Sequence, residues 1–181
     1  PLTAKADLKV VTTIKPLYSL ISNVMDGVGE PSLIIEGSTS PHSFVLKPSH
    51  AKMIEQADII FWIGEDIETF MEKPLESIAK NAKKIYFMEL NNIDKLKFRE
   101  SNIFDHDDHD EHGHGEDKDH DEHGHGEDKD HDEHAGHDGH EGHHHGEYDA
   151  HIWLDPVNAK EMLHEIAHEL SDLDPQNSDK Y

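Results

Sequence analysis

Fourteen of the nineteen histidines in this chain lie between His106 and His145, in a tract built on an eleven-residue repeat, HDEHGHGEDKD, that starts at His109 and His120 and returns in altered form at His131. Neutral imidazole is the commonest protein ligand for divalent transition metals, and here it alternates with carboxylates and with glycines that let the backbone fold around an ion. Plain spacers draw on Ser, Pro, Glu and Lys and have no reason to repeat His-x-x-His-x-His. His109, His112, His114, His120, His123, His125, His131, His134, His143, His144 and His145 are therefore candidate accessory metal ligands. Many short sites give capacity without geometry, however, and selectivity comes from geometry and ligand type. The flanks of the tract must supply that.

Two flanking segments hold a histidine in a setting suited to ligation. His42 sits in GSTSPHSFVLKPS, residues 37–49, and His151 in YDAHIWLDP, residues 148–156. A lone loop histidine is more often an exposed polar residue than a ligand. His151, though, lies between the polar tract and an apolar pair, Ile152 and Trp153, with Trp153 expected to pack under its ring. Asp155-Pro156 then reads as the cap and first turn of a helix. Of the nearby carboxylates, Glu36 is expected to face a loop and Asp155 to act as that cap or to orient the site. A rival motif is His164-Glu165-Ile166-Ala167-His168, the H-E-x-x-H spacing of zinc metalloproteases. Against an enzyme, Leu163, Ile166, Ala167 and Leu170 form an apolar stripe that leaves both histidines toward solvent, and no third histidine follows. His50 reads as a first-turn surface residue, and Phe61, Trp62 and Ile63 as core.

The elements that must position these residues alternate. Residues 8–14 (LKVVTTI) read as a strand and 16–25 as a helix; 32–37 as a strand and 48–57 as a helix opening on proline. Residues 58–64 (DIIFWIG) read as a buried strand, 66–79 as a proline-bent helix and 83–90 as a fourth strand. This order predicts an α/β fold, a parallel sheet with helices on both faces. Ligands of such sheets are held by loops beyond the carboxyl ends of the strands, and His42 falls in one. The predicted organisation is an N-terminal α/β metal-binding lobe (1–104), a disordered, acidic His-rich loop inserted into it (105–147), and a closing segment (148–181).

The 181 residues carry a formal net charge of −24, which argues against nucleic acid or an anionic membrane surface as partner. Cations are the expected clientele. With no cysteine and five scattered methionines, only nitrogen and oxygen ligands remain, which favours Zn(II), with manganese or nickel possible. No stretch is long and apolar enough to cross a bilayer. Ala4-Lys5-Ala6 has the small-x-small form of a signal-peptidase site and reads as the end of a removed export signal. Ser-His-Asp arrangements, phosphate-cradling glycine loops and basic stripes are absent from the sequence.

TSPHSFVLKPS (39–49) and DAHIWLDP (149–156) resemble the two histidine motifs of the metal-specific solute-binding proteins of ABC importers, in particular the ZnuA-type periplasmic zinc-binding proteins, which carry an acidic His-rich loop between them. TTIKPLYSLI (12–21) and ADIIFWIGEDIETFMEKP (57–74) extend the likeness over nearly the whole chain. The resemblance implies two α/β lobes joined by one long rigid helix, with Zn(II) held in the cleft between them. His42 and His151 would be the ligands from this lobe, with a third histidine and a carboxylate or water from the second, and the chain is expected to stop within the linking helix. One departure is Pro41, which stands where some zinc-specific members have glutamate. The implied function is capture of Zn(II) for a membrane ABC permease by a monomeric receptor. That receptor would be periplasmic, or lipid-anchored where the host lacks an outer membrane, and would not alter its cargo chemically. Capture is expected to weaken as pH falls through about 6 to 7, where imidazoles protonate. Alternatives are the same class of receptor serving manganese or iron, a His-rich zinc buffer or chaperone, and the H-E-x-x-H protease.

Overall fold

The computed structural model describes residues 8–98 and 146–181, which form one compact unit. The eleven accessory histidines of the tract lie outside the described residues. Four strands, β1 (Val10–Thr12), β2 (Ser32–Leu33), β3 (Ile59–Trp62) and β4 (Lys83–Tyr86), form one sheet in the order β2-β1-β3-β4, and every pair is parallel. The expected α/β architecture is therefore present. β1 and β3 are buried along their whole length, and their β-branched and aromatic composition is what a sheet covered on both faces requires.

The helices are α1 (Lys15–Val24), α2 (Pro48–Glu55), α3 (Glu72–Ser77) and α4 (Pro156–Leu173). Each of α1, α2 and α4 has proline at its first or second position, where the missing amide costs nothing and the fixed φ suits the helix. α1 buries Leu17 and Ile21 and packs against α4. α4 has 18 residues and so runs about 27 Å. No described helix is long and apolar enough to cross a membrane.

Several boundaries differ from the sequence expectation. The strands are shorter than predicted, although pairing continues irregularly past β2, where Ile34 N and Ile35 N donate to Thr12 O and Thr13 O at 2.9 and 3.0 Å. The predicted bent helix over 66–79 is instead a 3₁₀ turn, Thr69–Met71, followed by the short α3. Pro74 explains this: a helix running through it would push its ring against the Phe70 carbonyl, so α3 begins at Glu72 and places Pro74 in its first turn. The predicted fourth strand stops at Tyr86 and passes into a 3₁₀ turn, Phe87–Glu89.

The buried stripe of α4 is also rotated from the predicted one. It comprises Asn158, Met162, Ile166, Glu169 and Leu170, while Leu163 and Ala167 are only half-buried. Polar residues occupy this stripe because each has a partner. The Asn158 side chain accepts from Asp94 N and donates to Asp94 O, both at 2.8 Å, and Glu169 pairs with Lys83 at the start of β4.

Just beyond β3 lies Gly64, whose φ of 155° few side chains adopt and where a Cβ would lie 2.2 Å from the Tyr86 ring. Gly64→Ala should therefore lower stability by about 2–4 kcal/mol, measured as a shift in the midpoint of chemical unfolding; an unchanged midpoint would contradict the close approach of this backbone to Tyr86.

Candidate metal centre

His42 is presented by a tight local structure. Pro41–Ser43 form a single 3₁₀ turn capped by Ser40, whose hydroxyl accepts from His42 N at 3.3 Å. Pro41, the departure noted in the sequence, opens this turn and supplies its fixed φ. His151 comes from the other end of the chain, just before the 3₁₀ turn Ile152–Leu154, with Ile152 anchoring the turn in the core. Asp155 caps α4 as expected, accepting from Val157 N at 2.7 Å.

The two imidazoles face each other with ring centres 6.1 Å apart. Imidazoles sharing one tetrahedral ion stand about 5 Å apart, so a closure of about 1 Å would let both bind it. They look into a cleft of ≈ 320 Å³ whose floor is Ile14, Lys15 and Pro16 and whose wall includes Ile35 and Gly37. Trp153 lies 5.2 Å from the His151 ring, in the predicted position. None of the described residues lining the cleft is a carboxylate, and the imidazoles of His42 and His151 are the nitrogen donors among them suited to a transition metal. Glu36 is exposed, and neither it nor Asp155 lines the cleft.

Sequence reasoning missed Asp149. Its Oδ1 lies 2.7 Å from His151 Nδ1 and also accepts the His151 backbone amide at 3.0 Å. The hydrogen bond from the His151 amide is the main cause that holds this carboxyl below its usual range; burial opposes it, and the contact with the His151 ring adds to the lowering. An ionised Asp149 fixes Nδ1 as the protonated ring nitrogen and leaves Nε2 free for a metal, the carboxylate–histidine–metal arrangement. The signal was the DAH spacing, which read only as part of a motif.

Glu68 was also missed. It is completely buried, with Oε2 accepting from Ile63 N at 2.9 Å and Gly64 N at 2.8 Å, and Oε1 accepting the Thr13 hydroxyl. Burial raises its pKa to about 7 despite those three bonds. In the sequence it is one of three acids in four positions, Glu65, Asp66 and Glu68, and nothing in composition tells which is buried. His50 lies in the first turn of α2 as expected and is partly exposed; beyond that expectation, its Nδ1 accepts Lys47 N at 3.1 Å and helps cap the helix.

The H-E-x-x-H histidines are exposed on α4. Among the described residues, the group of three potential ligands that gathers there, with atoms within 4.8 Å of one another, is Glu165, His168 and Glu169 of the same helix and does not include His164.

A family model described as zinc-uptake complex component A, periplasmic, matches residues 10–181. The chain belongs to this family. Among curated relatives it is 47% identical over 172 residues to the high-affinity zinc uptake system protein ZnuA of Brucella abortus, covering 95% of this chain and 51% of that protein. It is 35% identical over 175 residues to the protein of the same name from Yersinia pestis, covering 97% and 49%. The chain thus spans about half the length of these zinc-uptake proteins. Among solved structures, Zn(II)-bound AdcA of Streptococcus pneumoniae aligns with a TM-score of 0.62 at 22% identity, over 97% of this chain and 28% of that one. A Mn-bound periplasmic metal-binding protein from Candidatus Liberibacter asiaticus aligns at 0.61 and 19%, over 96% and 48%. At those identities the structural likeness speaks to the fold.

Two predictions follow from the buried and half-buried carboxylates. Asp149→Asn should weaken Zn(II) binding at His151 by about tenfold or more, read as the zinc midpoint of the His151 ring resonances; an unchanged midpoint would remove Asp149 from the site. Glu68 holds its proton more tightly folded than unfolded, so its contribution to stability is fully present below pH 4.5 and lost as pH rises through about 7. Relative to Glu68→Gln, the unsubstituted chain should lose about 3 kcal/mol of unfolding free energy across that window, and parallel stability curves for the two would refute it.

Proposed function

We propose that this chain is the His42/His151 half of a zinc receptor that captures Zn(II) outside the cytoplasm and passes it unchanged to a membrane ABC permease. The observation that carries this reading is the pair of imidazoles facing each other 6.1 Å apart across a cleft, one of them oriented by Asp149. In this reading the remaining donors come from a second lobe, and the receptor works as a monomer with zinc as cargo and not as a resident cofactor. Zn(II) is favoured over manganese or iron because harder ions prefer oxygen-rich sites, and the described cleft wall has no carboxylate.

In the same reading the His-rich tract is an accessory antenna. Its flanks support this. Lys97 and Tyr148 form an antiparallel bridge, Lys97 pairs with Glu147, and Asp149 N donates to Leu96 O at 2.8 Å. The described residues on either side of the tract are thereby held together near His151, and a tether of that kind would raise the local concentration of any ion the tract holds.

A chelator-competition zinc titration tests both parts on the full-length protein lacking residues 105–147, with and without His42→Ala. One tight site that survives removal of the tract and is abolished by the alanine change is the expected result. Tight binding that disappears with the tract would make the protein a zinc buffer and overturn the receptor reading.

A further inference from the structure

In a parallel sheet of order β2-β1-β3-β4, the chain leaves β1 toward one side and comes back on the other, which opens a crevice between the carboxyl ends of β1 and β3 where such folds usually seat their ligand. Here that crevice holds the Glu68 side chain. Its carboxylate bridges Thr13, the residue just beyond β1, to Ile63 and Gly64, the residues just beyond β3. The described metal cleft is displaced to one side, over the ends of β1 and β2.

Thr13 is the node through which this matters. Its hydroxyl is held by Glu68, while its carbonyl accepts Ile35 N at 3.0 Å, and Ile35 and Gly37 then lead into the loop that carries His42. On its other side Thr13 is followed by Ile14, Lys15 and Pro16, the cleft floor, with Ile14 O accepting Tyr18 N at 2.9 Å as α1 begins. Floor and wall therefore both hang from one residue whose side chain has a single buried anchor.

We propose that Glu68 is a positioning residue for metal capture: by filling the switch-point crevice and holding Thr13, it sets the floor and the β2 exit from which His42 is aimed at His151. This rests on the receptor reading of the cleft. A buried carboxylate is expensive, and a hydrophobic residue would fill the crevice at less cost, but it could not bond a hydroxyl and two backbone amides at once. The polar group is retained at a place where three chain segments must keep fixed relative positions.

The test uses the full-length protein, with the second lobe present, in chelator-buffered Zn(II), following the ring ¹⁵N resonances of His42 and His151 and, in the same spectra, those of the tract histidines. Glu68→Ala and Thr13→Val should each raise the zinc midpoint at His42 and His151 by about tenfold or more, with the tract midpoint unmoved. Glu68→Gln and Thr13→Ser preserve hydrogen bonding at this position and should recover most of that loss. If Glu68→Ala unfolds, as dispersion of the backbone amides would reveal, Thr13→Val decides. Equal His42 and His151 midpoints in all folded variants overturn the positioning role while leaving the receptor reading intact. Absence of zinc from both rings in the unsubstituted full-length protein overturns the receptor reading, and the positioning role with it.

Discussion

Parallel pairing is the constraint on which the rest of this molecule depends. When all four strands run the same way, every carboxyl end emerges on one edge of the sheet, and loops far apart in sequence are gathered there. The segment after β2 carries His42, the turn after β1 makes the floor, and the start of α4 brings His151 back to the same edge. The price is a crevice between β1 and β3 with backbone donors at its rim, and Glu68 satisfies those donors from within.

Charge is distributed unevenly around that edge. The chain as a whole is strongly acidic, yet the described wall of the cleft presents imidazoles, apolar groups and Lys15. Asp94, Asp149 and Asp155 line a separate pocket that shares His151 with the cleft. Carboxylates thus lie beside His151, and Asp149 orients its ring, without lining the cleft itself. In the proposed receptor, the acids would attract cations at range and the imidazoles would discriminate among them.

Much of this was legible in the residues. Prolines at 16, 48 and 156 marked helix starts, and the apolar runs marked the strands that became β1 and β3. Asp155 was readable as a cap because capping is a local matter of one side chain and the next two amides. What was misread involved longer-range compensation. The α4 stripe was drawn through apolar residues, but Asn158 and Glu169 are buried because Asp94 and Lys83, distant in sequence, bond to them. A second, local cause acts at Pro74: periodicity reads 66–79 as one bent helix, whereas the proline ring would meet the carbonyl four residues earlier and so divides the span.

The sequence by itself determined the donor types, the alternation of strands and helices, and the two histidine segments that carry the family resemblance, since all of these are written in residue identity and local spacing. Tertiary structure decided which donors meet. It brought His42 to His151 and chose Glu68 among three neighbouring acids for burial. Those outcomes depend on which segments the parallel sheet places side by side, and that proximity is a property of the folded chain and not of any stretch of it.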